Sequence, residues 1–283
     1  MISEEFEFRA PTKLAEALSL LERYGDDAKI LAGGMSLVPM MTLGLVRPKA
    51  VISFNHITDL SFVTDAKDVI RIGAMTRHET VAQNQLIKKH LPLLATAALG
   101  IGDVQVRHRG TIGGSLAHAD PAADYPPVML VAGAQFRIQG SKGDRMVKAA
   151  DFFTGLMQTA VGAGEVLSEI HVPKLPAGAG SSYLRLHRIE GNFPIVNAAA
   201  VIENGFKSAR VAMGGIGDRA VMVDVTRQLS KGVNDQSLKE VSEAAYGASK
   251  DAYGDLNGDT EYRRAMARVF AQRAIKEAAA KIG

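Results

Sequence analysis

Ala32-Gly33-Gly34-Met35-Ser36 and Thr111-Ile112-Gly113-Gly114-Ser115 are two glycine pairs of similar make-up, eighty residues apart. Consecutive glycines let backbone N–H groups turn toward one point without Cβ interference. The serine after each pair adds a hydroxyl donor, and the combination suits an anionic phosphate. One such loop holds one phosphate, and two clamp a diphosphate. Each pair follows apolar residues, Lys29-Ile30-Leu31 in one case and the stretch ending Val104-Gln105-Val106 in the other, so each reads as a loop leaving an ordered element. The plainer alternative is two ordinary tight turns, because glycine is a common turn residue and one pair specifies no ligand.

Around these motifs, Leu14, Ala17, Leu18, Leu21 and Tyr24 follow Pro11-Thr12 at helical spacing and Gly25 closes the run, which predicts a first helix. Residues 29–32, 50–54 and 69–75 read as strands, with the first glycine loop between the first two. A helical pattern runs from residue 78 to 99 with a break at Pro92, and Gly100-Ile101-Gly102-Asp103 leads from it to the second loop. Residues 134–139 and 166–172 read as further strands, with a short element opening at Phe152-Phe153 between them. Pro173-Lys174-Leu175-Pro176-Ala177-Gly178-Ala179-Gly180 has two prolines and two glycines in eight residues and reads as a linker. The boundary is set there, giving one domain over residues 1–176, in lobes of about 1–55 and 56–176, and a second over 177–283. In the second domain, alternating segments at 182–189, 197–203 and 208–213 precede helices over about 237–250 and 259–281. The last helix is expected to bury a face of Tyr262, Met266, Val269, Phe270, Ala274 and Ala278, with Arg and Lys opposite.

The chain of 283 residues is 47% hydrophobic and 22% charged and carries a formal charge of +3. That is an ordinary soluble composition, and no run of 18 or more apolar residues is long enough to span a bilayer. The acidic start Met1-Ile2-Ser3-Glu4-Glu5 has no secretory pattern, so a cytoplasmic location is expected. Lys and Arg are scattered without aromatic interleaving, which argues against a nucleic-acid surface. With no cysteine, the chain cannot form disulfides, thiolate zinc sites, a cysteine nucleophile or cysteine-ligated iron–sulfur clusters. A bound organic cofactor is the economical source of chemistry.

Three motifs in order carry a family resemblance: Ala32-Gly-Gly-Met-Ser-Leu-Val-Pro-Met-Met41, Ile72-Gly-Ala-Met-Thr76, and Gln105-Val-Arg-His-Arg-Gly-Thr-Ile-Gly-Gly-Ser-Leu-Ala-His-Ala-Asp-Pro-Ala-Ala-Asp124. The chain resembles, end to end, the FAD-binding medium subunits of molybdenum hydroxylases, the xanthine dehydrogenase family, and most of all those of aerobic carbon monoxide dehydrogenases. Phe152-Phe153-x-Gly155 and Gly164-Glu165 extend the likeness. The resemblance implies an α+β chain: an FAD-binding domain of the vanillyl-alcohol-oxidase and p-cresol-methylhydroxylase (PCMH) type, made of two α/β lobes, followed by a C-terminal domain like that of the CO-dehydrogenase flavoprotein. It further implies an electron-transfer subunit with no catalytic residues of its own. Such a subunit works beside a large subunit carrying the molybdenum cofactor and a small one carrying 2Fe-2S clusters, in a heterotrimer or its dimer, and passes electrons to an external acceptor.

By the same resemblance, Ala32, Gly33, Gly34, Met35 and Ser36 with Thr111, Ile112, Gly113, Gly114 and Ser115 hold the FAD diphosphate through N–H groups and hydroxyls. Lys29 offsets phosphate charge, or is a plain surface lysine. Asp124 accepts hydrogen bonds from a sugar or adenine group, or caps the turn at Pro126-Pro127. Ile101 and Leu167 line the adenine pocket, or belong to the core. Tyr183-Leu-Arg-Leu-His-Arg-Ile-Glu-Gly-Asn-Phe193 resembles the segment that approaches the flavin, but close relatives commonly have Lys at Arg185 and Tyr at Phe193. Arg185 tunes the flavin potential and Phe193 packs over the ring, or both are interface residues. His118, Asp120 and Asp124 form a conceivable metal cluster of no standard spacing, and none is assigned to a metal. Gly214-Gly215-Ile216-Gly217-Asp218 lacks the helix start of a dinucleotide fingerprint and reads as a bend. Two readings stand beside this one: a stand-alone FAD-dependent oxidoreductase and a nucleotide-binding structural subunit.

Overall fold

The computed structural model describes residues 5–283, so residues 1–4 of the acidic start lie outside it. The first lobe runs β1 (Glu7–Arg9), α1 (Leu14–Tyr24), β2 (Ala28–Leu31), α2 (Leu37–Thr42) and β3 (Ala50–Ser53). Its three strands are parallel in the order β1-β3-β2, and central β3 is buried throughout, as a parallel strand covered on both faces must be. Ala17 and Leu21 of α1 join Ile52, Phe54 and Ile57 in a small core of their own that also takes in Met75 and Val166 of the next lobe.

The second lobe contains β4 (Val63–Ala66), β5 (Val69–Gly73), α3 (His78–Gln83), α4 (Gln85–His90), α5 (Pro92–Gly100), α6 (Val104–Arg109), α7 (Ile112–His118) and α8 (Tyr125–Val131). It continues through β6 (Gln135–Gly140), β7 (Gly143–Lys148), α9 (Ala149–Phe152), β8 (Phe153–Gly155), β9 (Gln158–Thr159) and β10 (Val166–Pro173). Five antiparallel strands stand in the order β4-β5-β10-β6-β7. Alternate residues Ile70, Ile72, Phe136, Ile138, Ile170 and Val172 point into the largest core, under the helices. Arg71, Arg137 and His171 all bond Glu169, at 2.7 Å, 2.9 Å and 2.9 Å.

The helical stretch from residue 78 breaks at Asn84 as well as before Pro92. Asn84 sits in extended conformation and its side chain accepts from Leu86 and Ile87 N–H at 3.0 Å and 3.2 Å, which starts a new helix.

The third unit has β11 (Gly180–Leu186), β12 (Val196–Glu203), β13 (Ser208–Gly214), β14 (Val221–Asp224), α10 (Asp235–Ala248) and α11 (Thr260–Ala279). The strands are antiparallel in chain order. Strand β12 is buried on both faces: Ala198, Ala200 and Ile202 join the core with α10 and α11, while Ala199 and Val201 join the core of the second lobe. The run of alanines lets helices approach the sheet from both sides.

The face of α11 differs from expectation. Ala267, Ala271, Ala274 and Ala278 form its buried stripe with Phe270 and Ile275, while Tyr262 is 41% exposed and Arg263 is buried. Small residues define this face because the sheet lies close, and a pattern read from bulk alone shifts it by one position. Gly214 ends β13 and Gly215 turns away with φ +75°, in a bend rather than a nucleotide loop. Among the described residues no helix is long and apolar enough to cross a membrane.

Candidate functional site

One cavity of about 490 Å³ opens where the three units meet. Its lining includes Lys29, the whole of the first glycine motif, Ile101, Thr111, Gly113, Gly114, Ser115, Asp124, Leu167 and Phe193. Ile112 and Arg185 are not part of that lining. Ile112 is fully buried in the second-lobe core, and Arg185 stands behind the wall.

The two glycine motifs play unequal parts. In the first, β2 delivers the chain into a turn before α2. The backbone N–H groups of Gly33, Gly34, Met35, Ser36 and Leu37 have no acceptor among the described residues. They form an amide cradle open to an anion. Gly33 also lies so close to the second motif that a Cβ there would overlap the carbonyl of Arg109 and approach Gly110 Cα to 2.6 Å. Gly34 has φ +79°, a conformation that favours glycine.

The second motif is the first turn of α7 rather than a loop, with Thr111 as its N-cap. Every amide from Ile112 to Ser115 is already bonded: Ile112 to Thr76 O at 3.0 Å, Gly113 to Ala74 O at 2.8 Å, Gly114 to Thr111 Oγ1 at 3.1 Å and Ser115 to Thr111 O at 3.0 Å. Its glycines serve close approach, because a Cβ on Gly113 would overlap Ala74 and one on Gly114 would meet Thr111 Oγ1 at 2.8 Å and Ala32 at 3.5 Å. This motif therefore offers the cavity a hydroxyl-bearing wall rather than free N–H groups.

Asp124 is the residue before α8 but makes no capping bond with its side chain. Its Oδ1 accepts from the Tyr183 hydroxyl at 2.6 Å and lies 3.3 Å from Arg185 Nη1, outside hydrogen-bonding geometry. Burial pushes the Asp124 carboxyl up despite the Arg185 charge, and burial likewise raises the Tyr183 phenol. Arg185 Nη2 donates to the carbonyl of Asn192. It thereby ties the segment holding Gly191, Asn192 and Phe193, which forms one side of the cavity, to the wall at Asp124. Phe193 is 59% exposed at the rim. No group of three or more metal-ligating side chains converges among the described residues, and Asp120 Oδ1 accepts from Ala122 N–H instead.

Sequence reading missed Met40, Met75, His78, Val106 and Asn192 in the lining. Met75 lay inside a quoted motif, and His78 follows it by three residues, but nothing local marks an inward-facing imidazole. His78 Nδ1 is 2.9 Å from the Tyr125 hydroxyl, and burial, with the charges of Arg77 and Arg107, pushes its pKa down to about 4. The unfolded chain takes up this proton near pH 6.5 and the folded chain near 4, so stability is lost as pH falls through that window. The expected loss is up to about 3 kcal/mol. Urea unfolding of the wild type and of His78→Gln at several pH values checks it: the variant's curve should be flatter between pH 6.5 and 4.

The joined lobes, with an open amide cradle facing a glycine-walled helix start, define a protein that binds a phosphate-bearing organic cofactor. Residues 4–175 match the family described as the FAD binding domain in molybdopterin dehydrogenase, and residues 181–278 match the CO dehydrogenase flavoprotein C-terminal domain. The carbon monoxide dehydrogenase medium chain of Hydrogenophaga pseudoflava is 36% identical, over 99% of both chains. The glyceraldehyde dehydrogenase medium chain of Sulfolobus acidocaldarius is 34% identical, over 99% of this chain and 100% of its own. The solved carbon monoxide dehydrogenase of Hydrogenophaga pseudoflava that lacks the Mo-pyranopterin moiety superposes with a TM-score of 0.94 over 100% of both chains, at 36% identity. The chain belongs to the FAD-binding medium chains of the molybdenum hydroxylase family, oxidoreductase components with FAD as cofactor.

Proposed function

We infer that this chain is the electron-transfer subunit of a molybdenum hydroxylase complex, taking electrons from 2Fe-2S clusters on a small partner and passing them to an external acceptor. Substrate is then transformed on a large molybdenum-bearing partner. The observation that carries this reading is the amide cradle at residues 33–37, facing the Thr111 helix start across a cavity that the C-terminal unit completes. The absence of cysteine supports it, since any iron–sulfur cluster must sit on another chain.

In this reading the free N–H groups of residues 33–37 and the Ser36, Thr111 and Ser115 hydroxyls hold the diphosphate, and Lys29 adds charge at its edge. Ile101 and Leu167 give apolar surface to the adenine end. Asp124 faces a polar group of the adenosine half, while Phe193 covers the ring from the rim. Ile112 supports the second motif from the core, and Arg185 acts on the ring only through the Asn192 segment. Bound FAD supplies a ring that accepts electrons singly or in pairs. The cofactor-binding domain is proposed to end at residue 176, with the C-terminal domain over 177–283.

The test is an absorbance spectrum of the isolated chain titrated with FAD, and of the chain recovered from its native extract. Flavin bands together with molybdenum- and iron-containing partners are the expected result. Bleaching of the flavin by an organic substrate without partners would instead indicate a self-sufficient oxidoreductase.

A further inference from the structure

Arg77 lies just before α3 and pairs with Thr111 in an isolated antiparallel bridge. Its Nη2 donates to Asn55 Oδ1 at 2.9 Å, at the end of the first lobe's sheet, and its Nη1 donates to the carbonyl of Arg109. That same carbonyl is the atom a Cβ on Gly33 would strike. The guanidinium therefore sits one carbonyl behind the open amide cradle and staples residue 55 to residues 109–111, the segment against which Gly33 closely packs.

The charge here is unbalanced. No carboxylate among the described residues comes within ion-pairing distance of Arg77, nor of Lys29 or Arg109 beside the same motif. The two acids of the cavity are engaged elsewhere, Asp124 with Tyr183 and Arg185, and Asp120 with the Ala122 amide. Burial and the like charge of Arg109 both work against the charged form of Arg77. A half-buried cation without an anion is unfavourable in the free protein and becomes favourable when an anion arrives.

We propose that Arg77 is a positioning residue for the diphosphate of the bound dinucleotide, fixing the geometry of the 33–36 cradle and supplying a permanent countercharge behind it. This rests on the reading of the cavity as the FAD site. The charge acts on the diphosphate and not on the uncharged parts of the ligand. A staple that only held the lobes together would weaken every ligand alike, and one that only shaped the cradle would weaken FAD and ADP without changing their salt slope.

The experiment measures binding of FAD, ADP and riboflavin to the cofactor-free full chain across a range of salt concentrations, for the wild type, Arg77→Met, Arg77→Lys and Asn55→Ala. Arg77→Met should weaken FAD and ADP about tenfold or more, flatten their salt dependence and leave riboflavin unaffected. Arg77→Lys should restore most of that affinity and the salt slope, and Asn55→Ala, which keeps the charge, should retain the slope. Equal weakening of riboflavin, or an Arg77→Lys variant as poor as Arg77→Met with an unchanged slope, would overturn the proposal. If Arg77→Met does not fold, Arg77→Gln, which keeps an N–H donor toward Asn55 and Arg109 but not the charge, decides by its salt slope: a flattened slope supports the proposal and a wild-type slope overturns it. Wild-type chain that binds ADP and FAD beside unaffected Arg77 variants removes the role of Arg77 alone, whereas wild type that binds neither removes the FAD site as well.

Discussion

Gly33→Val is expected to retain FAD at least about a hundredfold more weakly than the wild type. The added Cβ overlaps the Arg109 carbonyl and crowds Gly110 Cα, so the first motif must move away from the second. Both contacts are backbone, which no rotamer change relieves. Displacement breaks the alignment of the free N–H groups at residues 33–37, which act together on one anion. Flavin absorbance after gel filtration reads the loss, and far-ultraviolet circular dichroism shows whether the fold survives. Gly247→Ala is the control. Gly247 lies near the end of α10 with nothing within 4 Å of its added Cβ, so that variant should keep its flavin and gain up to about 1 kcal/mol in helix propensity. Full flavin content in folded Gly33→Val would remove this motif from the site.

Arg263→Met is expected to lower stability by about 3 kcal/mol. Arg263 is 2% exposed on α11, bonds the carbonyls of Ile195 and Gly215 at 2.5 Å and 2.6 Å, and pairs with Asp255 at 2.6 Å. Methionine fills similar space but leaves two buried carbonyls without donors. Asp255 is partly exposed and regains water. Ile195 closes the segment that places Phe193 at the cavity rim, so the variant should also release flavin faster. Urea unfolding and the rate of flavin loss into excess apo-acceptor check the two effects. Unchanged flavin release with the full stability loss would separate α11 from the cavity.

The parts of this molecule legible in sequence are those written in local pattern. Alternation in residues 69–75 and 166–172 marks β5 and β10, and the glycine pairs mark both walls of the cavity. What escaped reading depends on partners distant in the chain. Gly113 and Gly114 read as a free loop because their bonds to Ala74 and to the Thr111 side chain, which turn them into a helix start, are invisible locally. Arg263 read as one of the solvent-facing cations because nothing near it announces the carbonyls of Ile195 and Gly215. Arg185 aligns with a ring-facing position of the family, while its contacts here are to Asp124 and the Asn192 carbonyl, two residues remote from it in the local pattern. Three-residue β1 and four-residue α9 are too short for periodicity to register.

The first lobe's small core is separate from the large one, to which it contributes little beyond the contacts at Met75 and Val166. The first motif belongs to that lobe, while the helix start facing it belongs to the second. A ligand seated between them is thus a mechanical bridge, added to the few direct ties between the two bodies, among them the Arg77–Asn55 and Ser141–Glu22 bonds. Amide exchange in β2 and β3 should slow when the bridge is in place, while β12, clamped between cores on both faces, should scarcely register its arrival.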